Sequence, residues 1–179
     1  MRTLLAALAV AAVCAPGGAR ADDLYSKYFS GVNGGKPCYA RTYDAAHLKA
    51  HPKQTVRSIE VDFDQSWRED EGGKNTAGDF QAGMSFMLKR SEERYGQELY
   101  CKVAGDHFDC YLDADGGTIR LTPAGDGLKL QVTGGGGGTD QIAVEGSKDF
   151  GEFGGPGSDD RVFILPRADR KLCDAALPQ

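Results

Sequence analysis

The clearest structural pattern in the chain lies in Glu98 to Asp113, which reads E-L-Y-C-K-V-A-G-D-H-F-D-C-Y-L-D. Apolar and polar residues alternate on both sides of Gly105-Asp106, a pair that favours a two-residue turn between antiparallel strands. With that turn, Lys102 faces Asp109, so a cation meets an anion across the strands. This stretch is therefore predicted to form a β-hairpin.

The hairpin register also predicts how the cysteines pair. Cys101 lies opposite Cys110 at a non-hydrogen-bonded position, where Cα atoms are about 4.5 Å apart, at the short end of the range that a disulfide accepts. Cys14 falls in a predicted signal peptide, which leaves Cys38 and Cys173 as the second pair. Two disulfides are therefore predicted, Cys101–Cys110 within the hairpin and Cys38–Cys173 between the two ends of the domain.

Short alternating segments continue the β pattern on both sides of the hairpin. A strand is predicted from Thr55 to Asp64, with Glu60, Asp62 and Asp64 on its solvent-exposed face. Further strands are predicted around residues 84–88, 118–122, 127–133, 141–145 and 161–166. The predicted fold class is all-β, an antiparallel meander of about eight strands that forms a barrel or a sandwich.

The same patterns predict one helix and two long loops. Asp44 to His51 is predicted to be a short N-terminal helix, with Asp44 as its N-cap and Pro52 after its end. Trp67 to Gly83 and Ser147 to Asp160 are predicted to be long loops that carry acidic residues.

Composition and charge limit the kind of partner. The chain has 179 residues, 25 of them glycine, and a formal net charge of −5. An acidic chain lacks the basic surface that nucleic-acid-binding proteins use, so no nucleic-acid partner is predicted. After the N-terminal segment, no apolar run approaches the roughly 18 residues of a membrane helix, so no membrane span is predicted.

The first 21 residues have the three parts of a secretory signal peptide. Met1-Arg2 is basic, Leu4 to Val13 is apolar, and Ala19-Arg20-Ala21 has the small residues that signal peptidase reads. Cleavage is predicted before Asp22. Residues 1–21 are therefore predicted to be the signal peptide, residues 22–179 a single disulfide-stapled β domain, and the location periplasmic or secreted.

The predicted helix carries candidate metal ligands. His47 and His51 are four residues apart and share one helix face, and Asp44 lies three residues before His47. Two imidazoles and a carboxylate can hold zinc or copper. In the alternative interpretation, Asp44 caps the helix and His51 complements the dipole at its C-terminal end.

The hairpin face opposite the cysteines carries a candidate ligand-binding row. Tyr100 and Tyr111 stand side by side there, and the next strand is expected to continue with Leu112 opposite Ile119. The predicted row is then Tyr100, Tyr111, Arg120 and Lys129. Two aromatic rings and two cations can stack a sugar ring or hold an anionic polymer. An ordinary solvated sheet face is the alternative interpretation.

The sequence gives little indication of a catalytic motif. The segment Gly83 to Met87, G-M-S-F-M, has methionine where a nucleophile elbow has its second glycine. The cysteines are predicted to be oxidised, so they cannot act as nucleophiles. The chain is therefore predicted not to be an enzyme and to carry no cofactor.

One segment resembles a known group of proteins. Cys38 to Val56, C-Y-A-R-T-Y-D-A-A-H-L-K-A-H-P-K-Q-T-V, resembles the opening of small exported proteobacterial proteins of unassigned function. The resemblance covers about one ninth of the chain and implies export without implying an activity. Inhibitors of secreted lysozymes are similar in kind, as small periplasmic β-proteins with a disulfide, and this likeness is one of architecture alone.

These observations predict an exported, non-catalytic binding protein. Its ligand is expected to be a small molecule in a barrel mouth, or an envelope polymer on the tyrosine row. One alternative is an inhibitor or accessory factor of another exported protein, acting through the long acidic loops. Another alternative is metal handling through His47 and His51.

Overall fold

The computed structural model describes residues 21–30, 37–63, 76 and 78–174, so the predicted signal peptide, apart from Ala21, lies outside the described residues. The helices are α1 (Ala21–Tyr28), α2 (Ala45–Ala50) and α3 (Arg170–Asp174). The strands are β1 (Cys38–Thr42), β2 (Val56–Asp62), β3 (Phe80–Leu88), β4 (Arg94–Ala104), β5 (His107–Leu112), β6 (Gly117–Ala124), β7 (Gly127–Gly135), β8 (Ile142–Glu145), β9 (Phe150–Phe153) and β10 (Val162–Leu165).

Eight of the strands form one antiparallel sheet that is nearly closed into a barrel. The strands β1 to β7 follow one another in chain order, and β10 pairs with β7. At the seam between β1 and β10, the Ala40 N–H donates to the Pro166 carbonyl at 3.2 Å and the Ala168 N–H donates to the Cys38 carbonyl at 2.8 Å. The predicted all-β antiparallel fold is confirmed, in its barrel form.

The helix α1 fills one end of the barrel. Phe29, just after α1, is fully buried, with its ring centroid 4.7 Å from that of Phe80 and 5.0 Å from that of Phe108. The Tyr28 hydroxyl donates to the carbonyl of Gly125, in the turn between β6 and β7, at 2.8 Å. An eight-stranded barrel is just wide enough for side chains to fill it, and here the aromatic rings at this end do so.

The hairpin of β8 and β9 packs against the barrel core beside Phe86 of β3. Phe153 is buried, with its ring centroid 4.8 Å from that of Phe86. The predicted loop from Ser147 to Asp160 is therefore wrong in part, because it contains β9. A Cβ on Gly151 would lie 2.4 Å from the ring of Tyr95, so glycine is what lets β9 lie against that ring.

The hairpin register and both disulfides are confirmed. Cys101 pairs with Cys110 across β4 and β5, with Cα atoms 4.1 Å apart. Cys173 on α3 is bonded to Cys38 on β1, with Cα atoms 5.9 Å apart. Disulfides are typical of proteins in oxidising compartments outside the cytosol. Within the described residues, no helix is long and apolar enough to cross a membrane.

The register beyond the hairpin differs from the prediction by two residues. Leu112 lies opposite Gly117, and Ile119 lies opposite Cys110. The connection takes only residues 113–116, with two non-glycine residues at positive φ, so β6 begins earlier than expected. Glycine is suited to position 117 because its φ is +112° and a Cβ there would lie 2.9 Å from the backbone oxygen of Gly134.

The helix prediction is confirmed for α2 and incomplete for the chain. Asp44 is the N-cap of α2, as expected, and its side chain accepts the N–H of His47. The structure adds α1 and α3, so the chain has three short helices in the described residues where one was predicted. Both added helices are short segments held by tertiary contacts, α1 through its aromatic residues and α3 through Cys173.

Two carboxylates predicted to face solvent on β2 are buried. Glu60 and Asp62 are each 5% exposed, whereas Asp64 lies outside the described residues. The Ser85 hydroxyl donates to Glu60 at 2.9 Å, and Arg94 pairs with the other Glu60 oxygen. Burial raises the pKa of Glu60, and the hydrogen bond and charge of Arg94 oppose that rise. Asp62 pairs with Arg170 on α3 at 3.1 Å, so residues distant in sequence cover this face.

Candidate functional site

The two tyrosines of the hairpin form a stacked pair on the outer face of the barrel. Tyr100 lies opposite Tyr111, with ring centroids 5.0 Å apart and ring planes within 14° of parallel. Tyr111 is 49% exposed. The Tyr100 hydroxyl donates to Glu98 at 2.9 Å, and desolvation together with this hydrogen bond raises the pKa of Tyr100 to about 12. Tyr100 therefore remains a neutral phenol at physiological pH.

The strand register extends this pair into a row that crosses five strands. The tyrosine row consists of Gln81, Tyr100, Tyr111, Thr118 and Gly134, each opposite the next on neighbouring strands. Neighbouring strands are about 4.8 Å apart, so the row spans roughly 19 Å. It presents two aromatic rings and a hydroxyl on one face of the sheet, whereas Gln81 is only 5% exposed and its amide donates to Glu98. Thr118 takes the place beside Tyr111 that was predicted for Arg120.

Two surface hollows flank the exposed ring of Tyr111. The glycine hollow, about 410 Å³, is lined by Tyr111, Asp115, Thr118, Gly135, Gly137 and Gly138, among others. The charged hollow, about 620 Å³, is lined by Tyr111, Lys102, Asp109, Thr118, Arg120 and Thr133, among others. A ligand that covers Tyr111 can therefore enter a hollow on either side of the ring.

The predicted cations are not in the tyrosine row. Arg120 lies opposite Asp109, and its Nε donates to the Asp109 carboxylate at 2.9 Å. This hydrogen bond is the main cause that lowers the pKa of Asp109. Lys129 lies opposite Thr122, near the far end of β6. Of the four residues predicted to bind ligand, the structure brings together Tyr100 and Tyr111, and it places Arg120 at the edge of the charged hollow.

The predicted metal ligands lie in a groove near the seam of the barrel, separate from the two hollows. His47 and His51 are stacked with ring centroids 4.3 Å apart, and Tyr43 stacks on His47 at 4.6 Å. Asp44 is at the N-terminal end of α2, where its Oδ1 accepts the His47 N–H at 2.7 Å. The groove, about 290 Å³, is lined by Arg41, Tyr43, His47, His51, Gln54, Asp159, Val162 and Ile164.

Two residues outside α2, Gln54 and Asp159, lie beside the histidine rings. Gln54 is buried and its Oε1 lies 3.0 Å from the Nε2 of His47. Asp159 lies beside His51, with 4.0 Å between its Oδ2 and the His51 Nδ1. Neither residue was predicted, because no motif links the segment around Asp159 to α2. Within the described part of the chain, no group of three or more histidine, cysteine, aspartate or glutamate side chains is already arranged to hold a metal ion.

The neighbouring carboxylate explains why Asp159 is near α2. Asp160 is fully buried, and its Oδ2 accepts the Thr55 N–H at 2.5 Å and the Thr55 hydroxyl at 2.6 Å. Its other oxygen accepts the Val56 N–H at 3.3 Å. These bonds fix the segment before β10 against the start of β2, and so fix the backbone position of Asp159.

No family model, curated protein or solved structure matches the chain. The candidate sites therefore rest on the geometry of this chain alone.

Proposed function

We propose that this chain is an exported, non-catalytic binding protein that holds a carbohydrate chain of the cell envelope on its tyrosine row. The observation that carries the proposal is the stacked pair of Tyr100 and Tyr111, with a half-exposed ring between two hollows. The faces of sugar rings are apolar and pack on aromatic rings, while their hydroxyls need polar partners at the edges. Thr118 and the polar side chains that line the two hollows supply such partners.

The packed barrel interior favours an outer-face ligand. Phe29, Phe80 and Phe108 are fully buried against one another at the end of the barrel that α1 covers. A small molecule in that mouth of the barrel would have to displace these rings. The outer face needs no such rearrangement, because Tyr111 is already exposed.

Charge near the row favours a glycan over a strongly anionic polymer. Glu98 accepts the Tyr100 hydroxyl, and Asp115 lines the glycine hollow. In the charged hollow, Arg120 is already paired with Asp109, and Lys102 is the other cation in its lining. A polyanion would therefore meet carboxylates beside the tyrosines, whereas sugar hydroxyls can donate hydrogen bonds to those carboxylates.

Two features support a location outside the cytosol. Both pairs of cysteines are disulfide-bonded, and disulfides persist in the periplasm and in secreted proteins. Residues 1–21 have the pattern of a secretory signal peptide. A periplasmic or secreted protein would meet envelope glycans directly.

The proposal is tested by co-sedimentation of the processed protein with purified peptidoglycan sacculi. Tyr111→Ala removes the exposed ring and is expected to weaken binding at least about tenfold, the loss typical of a central aromatic contact. Phe150→Ala is the matched control, because Phe150 is 62% exposed on β9, outside the tyrosine row. It is expected to bind as the wild type does.

A second arm separates glycans from polyanions. Soluble dextran sulfate is expected to compete poorly with sacculi at physiological salt, whereas a site for anionic polymers would prefer it. Equal binding by Tyr111→Ala and the wild type contradicts the proposal, and so does the absence of binding to sacculi by the wild-type protein.

A further inference from the structure

We propose that the edge of β10 at the seam of the barrel binds an extended peptide segment of a partner protein, which adds to the sheet as a further strand. This inference goes beyond glycan binding and does not depend on it. Among the described residues, the two ends of the sheet meet at one isolated bridge, Tyr39 opposite Arg167. Sheet edges with unpaired backbone groups are where extended peptides add as strands.

The strand β10 turns the backbone groups of every second residue toward the seam. The carbonyl of Arg161, just before β10, accepts a β7 N–H at 3.0 Å, and β10 continues in the same register with β7. Because hydrogen-bonded and non-hydrogen-bonded pairs alternate in an antiparallel ladder, Phe163 and Leu165 bond to β7. The N–H and C=O groups of Val162 and Ile164 therefore face the seam.

A proline opens the seam beside these groups. The Ala40 N–H donates to the Pro166 carbonyl at 3.2 Å, but proline has no N–H to donate to β1 in return. The register of the isolated bridge places Thr42 opposite Ile164. In the part of the chain that the structure describes, no backbone hydrogen bond joins these two residues. The described seam therefore opens beyond Pro166.

The side chains at the open seam favour an extended peptide over a small ligand. Val162 and Ile164 are 48% and 52% exposed and line the groove of about 290 Å³, whereas Phe163 and Leu165 are buried. Side chains on neighbouring strands pack against each other across the pleated sheet, so an added strand would place branched apolar side chains beside this pair. An extended peptide satisfies both the alternating backbone groups and the two apolar side chains.

The charges in the groove favour a peptide that carries an acidic side chain. The Arg41 guanidinium lies over the ring of Tyr43, 5.4 Å from its centroid. None of the ion pairs between described residues includes Arg41. The carboxylate in the groove, Asp159, lies beside His51, at 4.0 Å. A glutamate or aspartate of the peptide is therefore expected to pair with Arg41.

The first test is amide hydrogen exchange of the processed wild-type protein, followed by NMR. The amides of Phe163 and Leu165 are expected to exchange slowly, and those of Val162 and Ile164 at least about a hundredfold faster. Equal protection of Ile164 and Phe163 in the monomer would show that the seam is closed, and would overturn the proposal.

The second test adds a synthetic heptapeptide of alternating valine and threonine with a central glutamate. It is expected to slow exchange at Val162 and Ile164, and failure to do so overturns the proposal. The same peptide with every backbone nitrogen methylated keeps the side chains but cannot donate, and is expected to bind at least about tenfold more weakly. Replacing its glutamate with glutamine should weaken binding about fivefold in the wild type and in Lys102→Gln, but not in Arg41→Gln.

Two variants of one position separate backbone pairing from side-chain contact. Ile164→Pro removes the N–H that faces the seam and leaves the bonds to β7 in place, and is expected to weaken peptide binding at least about tenfold. Ile164→Thr keeps this N–H and the branched shape, and is expected to stay within about fivefold of the wild type. Equal losses in both variants would overturn strand pairing.

Two further outcomes separate this proposal from its alternatives. A wild-type dimer that Ile164→Pro dissociates, seen by analytical ultracentrifugation, would show that β10 pairs with a second copy of the chain, and would contradict a peptide partner. Tyr111→Ala is expected to bind the peptide as the wild type does. Failure of the glycan proposal and failure of this one are therefore distinguishable.

Discussion

Truncation of Phe29 to alanine is expected to destabilise the domain strongly. The side chain is fully buried, and its ring contacts those of Phe80, Phe108, Tyr39 and Phe63, at centroid distances from 4.7 to 6.4 Å. Loss of a buried phenylalanine side chain costs about 3–5 kcal/mol, part of it from the cavity that remains. The neighbouring rings belong to different parts of the barrel, which limits collapse of the cavity. We therefore expect a loss of about 4 kcal/mol.

The measurement is urea unfolding of the oxidised protein, followed by circular dichroism. A loss of about 4 kcal/mol is a large fraction of the 5–15 kcal/mol that stabilises a typical domain. The control is Phe150→Ala, which makes the same truncation at a side chain that is 62% exposed, and should change stability by less than about 0.5 kcal/mol. A loss below about 1 kcal/mol for Phe29→Ala would refute the packing of this segment into the barrel, and with it the argument that the ligand binds outside.

Other predictions follow from the charges and crosslinks. Because the pKa of Glu60 is higher in the folded protein than in the unfolded chain, the wild type should lose stability as the pH rises between these two pKa values. Glu60→Gln should abolish this pH-dependent loss of stability in urea unfolding measured from pH 4 to 8. Glu60→Ala, which leaves Arg94 without its carboxylate, should cost about 3 kcal/mol at pH 7 in the same assay. Because the pKa values of Tyr39 and Tyr100 are both raised to about 12, ultraviolet titration should find at least two tyrosines that ionise near pH 12, and Tyr100→Phe should remove one of them. Replacing Cys38 and Cys173 with alanine should cost about 5 kcal/mol in urea unfolding, against about 2.7 kcal/mol for the hairpin bridge, because the first closes a longer loop.

The hairpin of β4 and β5 could be predicted to the residue because its turn has only one simple solution. A two-residue Gly105-Asp106 turn fixes every cross-strand pair, including Cys101 with Cys110. The Gly125-Asp126 turn has the same chemistry, and Ala124 does lie opposite Gly127 across it. The error arose in the connection at residues 113–116, whose two left-handed non-glycine residues follow no simple sequence rule.

The alternation of apolar and polar residues could not by itself predict which strands belong to the barrel. The predicted strand around residues 141–145 forms β8, which lies outside the barrel sheet. Its place is taken by β1, whose end at Arg41 and Thr42 is exposed and polar and so lacks an alternating pattern. The burial of Glu60 was missed for a related reason: alternation indicates which face a residue occupies, and it does not indicate what covers that face.

The candidate sites were predictable only where their residues are neighbours in sequence or across a short turn. The stacking of Tyr100 on Tyr111 and the shared face of His47 and His51 both follow from local spacing. The position of Thr118 beside Tyr111 depends on the register of the next strand. The position of Asp159 depends on bonds between segments that are more than a hundred residues apart in the chain.

The disulfide beside the tyrosine pair holds both rings in one register, which bears on the proposed glycan binding. Cys101 and Cys110 directly follow and precede Tyr100 and Tyr111 in their strands, and their side chains are buried in the barrel. The bond fixes the register of β4 against β5, so the two rings are held in place before any ligand arrives. Binding to a pre-ordered aromatic surface loses less conformational entropy than binding to mobile side chains. Under the proposed glycan binding, the crosslink that stabilises the hairpin from inside would also hold its outer surface ready for the ligand.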